Sequence, residues 1–442
     1  MMVAKSDNNR SFDAVIIGAG VIGASIALGL SRKGLRTLNI DMLGATGYGS
    51  TSFSSAIVRP FYSSVEGCAL AHEARSRWLH WPDFLKTGGN GNYAKYRECG
   101  MLMLMASGDD EHFKPGLSSM KEVGVTVEHL TAAELGKRFP ALELASFGPP
   151  KNPESPGFGT PNATPLSGAF FIPEAGYVND PQLAAQNLQM AAEALGAEFI
   201  FNTRVVAINR SGEHVLGVTT SKDEDIEAPI VVNVAGPHSS KINSLAGIED
   251  DMSFTTRASR HEVAQVPAPA NFGLDRCACI VGDGDAGVYV RPETGRNLWI
   301  GSLDPDCDPK QYVDADDYNN CLTEQWTHQV WRAALRFPAQ VIPNIARGVV
   351  GLYDTTPDWI PIYDKSSLPG FYMAVGTSGN QFKNAPVIGD LMADLIVACE
   401  SGHDHDDDSV KFLLPGLNRT IDIGFFSRNR VLHSETSHTV LA

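Results

Sequence analysis

The chain begins with an apolar run that changes its period at a group of glycines. Residues Ala14–Ile17 are continuously apolar, which is typical of a strand buried on both faces of a sheet. A helical pattern follows over residues 24–32, and a second apolar strand is predicted over Thr37–Ile40. This order predicts a strand–turn–helix–strand unit of a parallel sheet.

The hydrophobic pattern predicts further elements along the chain. The aromatic residues Trp78, Trp81 and Phe84 are expected in the core, and residues 147–167, rich in Pro, Gly, Ser and Asn, indicate a surface loop. Helices are predicted over 66–85, 113–123, 181–195, 316–335 and a stretch ending near 399, and strands over 101–105, 198–201, 205–209, 230–235, 287–291, 297–300 and 371–375, with an antiparallel run within 256–302.

Three glycines mark the first strand-to-helix turn. Gly18, Gly20 and Gly23 follow the spacing GxGxxG, and Asp41 ends the second strand 18 residues after Gly23. Such glycines allow a tight turn, close approach of the backbone to a pyrophosphate, and close packing of helix on strand. The acid can accept hydrogen bonds from a ribose diol. The combination predicts a dinucleotide site; the alternative is a glycine-rich turn in an ordinary doubly wound sheet.

Small residues recur at three later places. The loop over residues 44–59 offers backbone N–H groups and hydroxyls to a phosphate or a ring system, unless it is a flexible linker. Gly236 follows a buried strand, and Gly376 and Gly379 precede the last long helix. A nicotinamide dehydrogenase has no evident use for this last turn. A longer cofactor with a tricyclic ring would use both ends of the chain.

Composition excludes several classes of function. The chain has 442 residues, with 35 Lys and Arg against 51 Asp and Glu and a net charge of −16. This acidity argues against binding to nucleic acid or to an anionic membrane surface. The seven cysteines are scattered, and the spacing of Cys277 and Cys279 is not that of a zinc or redox motif, so we expect reduced thiols in a cytoplasmic protein.

Two segments contain residue types that could indicate a signal peptide or a metal site. The apolar stretch over 14–30 follows Lys5 and Arg10, but glycines interrupt it and no cleavage site follows, so export is not expected. The run of His and Asp over 403–408 contains metal-ligand residue types, but a polar run after a helix is usually a solvated turn. No metal site is predicted.

Five motifs together resemble one superfamily of flavoproteins. They are GAGVIG with Asp41, Ile57-Val-Arg59, Val-Asn-Val-Ala-Gly236-Pro, Tyr353-Asp-Thr-Thr-Pro-Asp and Gly376-Thr-Ser-Gly-Asn-Gln-Phe-Lys383. On these motifs the chain resembles the D-amino-acid oxidase superfamily, nearest its sarcosine oxidase and dimethylglycine dehydrogenase-like branch. The resemblance implies FAD and a mixed α/β fold. A Rossmann-type FAD-binding domain over 1–85, 171–255 and 345–442 would be interleaved with a substrate-binding domain, built on an antiparallel sheet, over 86–170 and 256–344.

The resemblance also assigns candidate site residues. Arg59 and Lys383 resemble a clamp on a substrate carboxylate, and Tyr289 resembles a tyrosine near the substrate. Their alternatives are a surface arginine, a lysine at a helix start and a core tyrosine. The residues expected to bind FAD are Gly18, Gly20, Val21, Ile22, Gly23, Asp41, Gly49, Ser50, Thr51, Ser52, Ile57, Val205, Gly236, Gly351, Gly379, Asn380, Gln381, Phe382 and Lys383.

Three positions depart from the family pattern. Gly351 stands where the sarcosine oxidases that bind flavin covalently have a cysteine, and Phe53 lies in the loop where the dehydrogenase branch has a histidine. Non-covalent FAD is therefore expected. Trp299 aligns with the lysine that the family oxidases place over the flavin, so oxidase and dehydrogenase activities both stay open.

The resemblance implies oxidation of a carbon next to an amine. We expect oxidation of the C–N bond of an amino acid, with an N-alkyl substrate such as sarcosine or dimethylglycine, giving an imine that hydrolyses to an amine and a carbonyl. The alternatives are a primary D-amino acid, glycine or proline as substrate, or a flavin subunit that needs a partner chain for turnover. The electron acceptor would be oxygen or another carrier.

Overall fold

A computed structural model describes residues 11–86, 91–108, 110–212, 214–273 and 278–433. Lys5, Arg10 and Cys277, which entered the sequence interpretation, lie outside these ranges. The helices are α1 Val21–Arg32, α2 Val65–Leu79, α3 Trp81–Leu85, α4 Asp110–Glu122, α5 Ala132–Arg138, α6 Pro181–Glu193, α7 Ser239–Ala246, α8 Glu324–Arg336 and α9 Ala385–Glu400.

The strands are β1 Ala14–Ile17, β2 Thr37–Ile40, β3 Ile57–Val58, β4 Tyr96–Glu98, β5 Met101–Met105, β6 Glu128–Thr131, β7 Gly168–Ile172, β8 Gly176–Val178, β9 Glu198–Ile200, β10 Val205–Ser211, β11 His214–Thr220, β12 Asp225–Glu227, β13 Ile230–Asn233, β14 Arg257–Pro267, β15 Ile280–Asp283, β16 Val288–Glu293, β17 Asn297–Ser302, β18 Gly348–Thr355, β19 Ile362–Lys365, β20 Phe371–Val375, β21 Lys411–Leu414 and β22 Arg419–Asp422. The mixed α/β fold expected from the sequence is confirmed.

A six-stranded sheet forms the first layer, in the order β19-β20-β13-β1-β2-β9. It is parallel except for the antiparallel pair β19 and β20, and every residue of β1 is buried. Helix α1 packs against α6 and α9 on this sheet. Because parallel strands end at one edge, the residues after β1, β2, β13 and β20 come together there. These residues are the predicted glycine turns and Asp41.

An eight-stranded sheet forms the second layer, in the order β18-β14-β17-β16-β15-β5-β7-β6. Along β16, alternate side chains face opposite sides, as the pleat requires. Val288 and Val290 pack with Trp326 and Val330 of α8 in one apolar core, whereas Tyr289 faces the other side, toward a cavity between the layers. Smaller sheets, β3-β8-β4, β10-β11-β12 and β21-β22, flank the two layers.

Strand β18 modifies the expected division of the chain. Its residues fall within the predicted FAD-binding segment 345–442, yet β18 pairs with β14 over the whole range from Arg257↔Thr355 to Ala264↔Gly348. We therefore keep the interleaved two-domain division as a proposal in which β18 belongs to the larger sheet.

Two predicted helices have different bounds. The helix predicted over 66–85 is divided at His80 into α2 and α3. Pro82 explains the break, since proline lacks a backbone N–H and its ring would clash with the carbonyl four residues earlier. The helix predicted over 316–335 begins at Glu324, where the side chain of Thr323 accepts a hydrogen bond from the backbone of Gln325.

The loop over 147–167 is largely exposed, as predicted, but it is held at its start. The carboxylate of Asp285 accepts hydrogen bonds from Ser146 Oγ at 2.7 Å and from the backbone N–H groups of Phe147 and Gly148 at 2.7 and 2.9 Å. Arg336 of α8 pairs with the same carboxylate at 2.9 Å. The loop is therefore anchored to the larger sheet and its covering helix.

Other expectations concern isolated side chains. Trp78 and Trp81 are buried in the core, as predicted, and Phe84 packs against it. In the 403–408 run, Asp404 and Asp406 form ion pairs with Lys365.

The six cysteines that the structure describes form no disulfide bond. Within the same ranges, no helix has both the length and the apolarity that a membrane span requires.

Candidate active site

One cavity of about 730 Å³ lies between the two layers and connects the first and last glycine turns. Gly20 and Gly379, which are 359 residues apart in the sequence, both line it. The predicted site residues that line it are Gly18, Gly20, Val21, Ile22, Gly23, Asp41, Gly49, Ser50, Thr51, Ile57, Arg59, Val205, Gly236, Tyr289, Gly379, Asn380, Gln381, Phe382 and Lys383. Ser52 and Gly351 are not among the lining residues.

The first glycine turn is too close-packed for side chains. A Cβ on Gly18 would lie 2.5 Å from the carbonyl oxygen of Val234, and Gly18 has a φ of +120°. A Cβ on Gly23 would lie 2.3 Å from the carbonyl oxygen of Gly18. Gly20 is different, because a Cβ there would meet only Thr51 Oγ1, at 3.3 Å. The turn thus exposes backbone at Gly20 and packs helix on strand at Gly23.

Asp41 lies at this end of the cavity with both carboxylate oxygens engaged. One oxygen accepts a hydrogen bond from the backbone N–H of Ala19 at 2.7 Å, and the other accepts from the N–H of Leu43 at 2.8 Å. Burial raises the pKa of Asp41, and these two N–H groups oppose the rise. The carboxylate keeps lone pairs that a ribose diol can use, since each oxygen can accept more than one hydrogen bond.

The small-residue loop joins this turn to the larger sheet. Thr51 Oγ1 accepts a hydrogen bond from the backbone N–H of Val21 at 3.0 Å, and Ser50 Oγ donates to the carbonyl of Leu352 at 2.7 Å. Ser52 turns away and donates to the carbonyl of Gly49 at 3.0 Å. The Ser52 side chain therefore stabilises the loop itself, and its contact with the cofactor stays a prediction.

The last glycine turn is fixed by the motif that packs against it. The Asp354 carboxylate accepts a hydrogen bond from the N–H of Gly376 at 2.6 Å, and the Asp354 carbonyl accepts from the N–H of Ser378 at 2.7 Å. Burial raises the pKa of Asp354 to about 6. The Tyr353 ring lies so close to Gly379 that a Cβ there would be 2.5 Å from a ring carbon. Only glycine fits beside this tyrosine.

Arg59 and Lys383 are buried together beside Tyr62. Both are 3% exposed, the Lys383 ammonium donates to Tyr62 Oη at 2.8 Å and to the carbonyl of Asn380, and the Arg59 guanidinium lies 5.0 Å from the centre of the Tyr62 ring. Burial, reinforced by the Arg59 charge, moves the pKa of Lys383 well below its usual value. Burial also lowers the pKa of Arg59. Two basic side chains buried at one end of the cavity favour the binding of an anion there.

Tyr289 lies on β16, in the wall of the cavity that the larger sheet forms. Its hydroxyl is 2.9 Å from Ser55 Oγ, and burial raises its pKa, so the phenol stays protonated. Tyr353 also lines the cavity, and His261 stacks on it with ring centres 4.0 Å apart. The wall facing the last glycine turn is thus aromatic.

Two positions drawn from the family pattern do not reach the cavity. Gly351 lies on β18, where a Cβ would be 3.0 Å from Phe53 Cβ, and it is Phe53 that lines the cavity. Trp299 is absent from the described lining, and its strand neighbour Gly301 lies under the Tyr289 ring, whose nearest atom would be 2.4 Å from a Cβ. Tyr289 thus fills the space over this strand.

Several cavity residues were not assigned from the sequence. Arg204, His238 and Lys241 line the end near Asp41, and all three pair with Asp316, at 2.9, 3.0 and 2.7 Å. His238 follows the Gly236 motif, which was a usable signal. No pattern in the sequence indicated that these three residues pair with Asp316, because Asp316 comes from a segment predicted to be helical.

The residues present fit FAD. The glycine turn that a Cβ would fill, the carboxylate at Asp41 and the helix N-terminus of α1 provide for an ADP group at one end. Backbone N–H groups and a buried cation at 379–383 provide positive potential for a ring system at the other end. A cavity of about 730 Å³ that joins both ends suits one elongated ligand.

Comparison with known proteins agrees with this geometry. The family model DAO, described as FAD dependent oxidoreductase, matches residues 13–395. The chain is 24% identical over 409 residues to the sarcosine oxidase subunit beta of an Arthrobacter species, with 90% of each chain covered. It is 24% identical over 404 residues to the glycine oxidase of Geobacillus kaustophilus, covering 89% of this chain and 95% of that protein.

Solved structures show the same fold. The L-proline dehydrogenase of P. horikoshii superposes with a TM-score of 0.74 at 20% identity, covering 95% of this chain and 97% of that one. The G. kaustophilus glycine oxidase superposes with a TM-score of 0.70 at 22% identity, covering 90% and 98%. With the family model matching most of its length, the chain belongs to the DAO family of FAD-dependent oxidoreductases.

Proposed function

We propose that the protein oxidises the C–N bond of an amino acid whose nitrogen carries an alkyl substituent. The observation that carries this proposal is the pair of buried cations, Arg59 and Lys383, at the end of the cavity beside the Gly379 turn. Relatives with the names sarcosine oxidase subunit beta and 4-methylaminobutanoate oxidase support an N-methyl substrate.

Lys383 needs an anion in this position. Its pKa is lowered by burial and by Arg59, and the described residues provide it with no salt-bridge partner. A substrate carboxylate would supply the missing negative charge and stabilise the ammonium form. The planar guanidinium of Arg59 can bind the same carboxylate with two parallel hydrogen bonds, which fixes the orientation as well as the position of the substrate.

The chemistry divides between cofactor and chain. FAD, when bound, supplies a two-electron acceptor. The substrate carbon next to nitrogen loses a hydride equivalent, nitrogen loses a proton, and water hydrolyses the resulting imine to an amine and a carbonyl. Arg59 and Lys383 hold the carboxylate so that this C–H bond keeps one position, which lowers the entropic part of the barrier. Phe53 and Met101 contribute apolar side chains to the lining of the cavity.

Anaerobic mixing of the purified protein with candidate substrates tests the reaction. Sarcosine, dimethylglycine and longer N-alkyl amino acids are expected to bleach the flavin absorbance, faster than glycine, proline or D-alanine. Unchanged absorbance with every amino acid would contradict amino acid oxidation. Faster bleaching by a primary amino acid or by proline would still support amino acid oxidation, but the substrate would then belong to the alternative class.

We also propose that FAD is held non-covalently, because Gly351 and Phe53 provide no nucleophile at the two positions in question. Acid precipitation should leave the yellow colour in the supernatant. Colour retained in the pellet would contradict this proposal.

A second candidate is a flavin subunit that requires a partner chain. Relatives with the name sarcosine oxidase subunit beta, covered over 90% and 86% of their lengths, favour it. Flavin reduction without turnover in air would support this candidate, whereas peroxide release by the purified chain would support a self-sufficient oxidase.

We propose the cytoplasm as the compartment of the protein. The six cysteines of the described ranges form no disulfide bond, which fits a reducing compartment, and cell fractionation tests this proposal.

A further inference from the structure

A short turn beside the larger sheet reaches the end of the cavity near Asp41. Residues 313–318, here termed the strap, begin next to β14, where the backbone N–H of Val313 donates to the carbonyl of Ala258 at 3.0 Å. The chain then reverses, because the N–H of Asp317 donates to the carbonyl of Asp314 at 3.1 Å. The strap is therefore fixed at its base and turns back at its tip.

Asp316 lies at the tip of the strap and pairs with three basic side chains. Its carboxylate is 2.9 Å from Arg204, 3.0 Å from His238 and 2.7 Å from Lys241. Asp314 also pairs with Lys241, at 2.5 Å, and accepts a hydrogen bond from the backbone N–H of Asp316 at 2.8 Å. The hydrogen bonds from Arg204 and Lys241 keep the pKa of Asp316 well below its usual value, so this carboxylate is ionised.

The strap contributes to the wall of the cavity. Ala315 and Tyr318 both line it, and Ala315 is buried in one apolar cluster with Leu352, which is a lining residue as well. Burial raises the pKa of Asp41, and the His238 charge is among the interactions that oppose the rise, so His238 lies within electrostatic reach of Asp41. The end of the cavity that fits an ADP group thus has walls from both the strap and the glycine-turn layer.

This end of the cavity is open to solvent. Val206 and Leu245 line the cavity and are exposed. Val206 is two residues from Arg204, and Leu245 is one helical turn from Lys241 on α7. The ion pairs of Asp316 therefore join the strap to the rim of an open mouth.

The contact between the strap and this rim can be broken reversibly. The side chains of Asp316 and Arg204 are 38% and 47% exposed. Each exposed ion pair contributes little to stability and is screened by salt. Three pairs share the single carboxylate of Asp316, so they all depend on one charge.

We propose that the strap is part of the FAD site, and that Asp316 holds it closed over the adenosine end of the cofactor and thereby slows the release of FAD. The sequence assigns the strap to the substrate-binding segment 256–344, so this segment would also retain the cofactor. The inference concerns FAD alone and does not depend on which amino acid is oxidised.

The rate of FAD release tests this inference. Dilution of the FAD-loaded protein, followed by the fluorescence of released FAD, measures the dissociation rate. Asp316→Asn keeps the shape of the side chain and removes its charge, and we expect release to be at least about fivefold faster, since three pairs are lost together. Equal rates in Asp316→Asn and the wild type would overturn the inference.

Asp317→Asn is the matched control for this substitution. Asp317 is exposed on the same turn and forms no ion pair within the described part of the chain, so its replacement makes the same change in net charge. We expect this variant to release FAD at the wild-type rate. An equal acceleration in both asparagine variants would assign the effect to net charge and overturn the role of Asp316.

Salt provides a second readout. Raising the salt concentration from about 0.05 M to about 1 M shortens the Debye length to about 3 Å and should speed FAD release from the wild type. The same change should have a smaller effect on Asp316→Asn, which has already lost the pairs. An equal salt dependence in the two proteins would contradict closure by these ion pairs.

Two measurements separate closure of the strap from a general loss of stability. Without FAD, the melting temperatures of Asp316→Asn and Asp317→Asn should agree within about 2 °C, because exposed pairs contribute little to stability. Asp316→Glu keeps the charge and should restore slow release. A much lower melting temperature in Asp316→Asn, or fast release that persists in Asp316→Glu, would overturn the inference.

Discussion

The two ends of the cavity are built in different ways. At the end near Asp41, the glycine turn belongs to one local segment, and its hydrogen bonds, Ala19 to Asp41 and Val21 to Thr51, join residues 22 and 30 positions apart. At the opposite end, side chains from distant segments meet beside the Gly379 turn, and the hydrogen bond from Lys383 to Tyr62 joins residues 321 positions apart. The first end therefore depends on close packing, and the second on buried charge.

This difference explains how the ends should respond to change. Backbone groups bind a nucleotide with no ionisation change, so we expect the first end to respond chiefly to steric substitutions. Buried cations have shifted pKa values, so the second end should respond to pH and to the loss of charge. Five predictions test this contrast, from the largest expected effect to the smallest.

Gly23→Ala should abolish cofactor binding. The new methyl group would lie 2.3 Å from the carbonyl oxygen of Gly18, so the backbone at Gly18 would have to shift. We expect flavin content below about a tenth of the wild-type value and a lower melting temperature, since overpacking costs about 1–3 kcal/mol. Gly284→Ala, which lies outside the cavity lining and whose Cβ would meet no atom within 4 Å, is the control and should retain flavin.

Arg59→Ala should weaken the binding of the substrate and leave the binding of FAD unchanged. Loss of one member of a buried, charge-assisted contact costs about 2–5 kcal/mol, so we expect kcat/KM to fall by about 30-fold to 5,000-fold at unchanged flavin content. Arg59→Lys retains the charge but not the planar fork and should recover only part of the loss. An unchanged apparent substrate affinity in Arg59→Ala and Lys383→Met would remove both residues from the clamp.

Asp354→Asn should change the pH dependence of stability. The pKa of Asp354 is about 6 in the fold against 3.8 for the free side chain, so the folded state binds more protons between these values. Its contribution to the free energy of unfolding is therefore present at low pH and is lost as the pH rises through about 6. With about 1.4 kcal/mol per pKa unit, the loss is about 3 kcal/mol.

Urea titrations at several pH values measure this effect. The asparagine variant should be the more stable protein above pH 6 and should show a flatter profile between pH 4 and 6 (about two pKa units, as the shift requires). A profile identical to that of the wild type would show that Asp354 titrates normally.

Binding of an inert monocarboxylate should weaken as the pH rises through the lowered pKa of Lys383. Below that pKa the ammonium form attracts the anion, and above it the neutral amine does not; the window lies well below the usual 10.5. We expect a loss of up to about tenfold per pH unit within this window. Lys383→Met should have a flat profile; a flat wild-type profile would contradict the assignment.

Thr51→Ala should have the smallest effect. It removes the acceptor for the N–H of Val21, at 3.0 Å, and one neutral hydrogen bond contributes about 1 kcal/mol. We expect FAD affinity to fall by about fivefold, measured by fluorescence titration of the apoprotein. Thr51→Ser keeps the hydroxyl and should match the wild type; equal loss in both variants would assign the effect to the methyl group.

The same contrast governs what could be predicted from the sequence. Gly23 and Asp41 follow from local spacing, because Gly23 packs against Gly18 and Asp41 accepts from Ala19 within one strand–helix–strand unit. The start of α8 could not be predicted, since the segment before it is held by Asp316 on Lys241, far away in the sequence.

At the second end, motif resemblance pointed to Arg59, Lys383 and Tyr289, but not to the residues between them. Tyr62 has no motif of its own, and its contact with Lys383 exists only in the folded chain. Sites formed by the backbone of one short segment can therefore be predicted from sequence, whereas contacts between side chains from distant segments cannot.

A crystal structure of the protein grown with FAD and succinate tests the central claim most directly, that one cofactor extends between the two glycine turns. We predict a single FAD with its ribose at Asp41 and its ring system beside Gly379, and a carboxylate at Arg59 and Lys383. A ring system remote from Gly379, or a protein that takes up no FAD, would contradict the account.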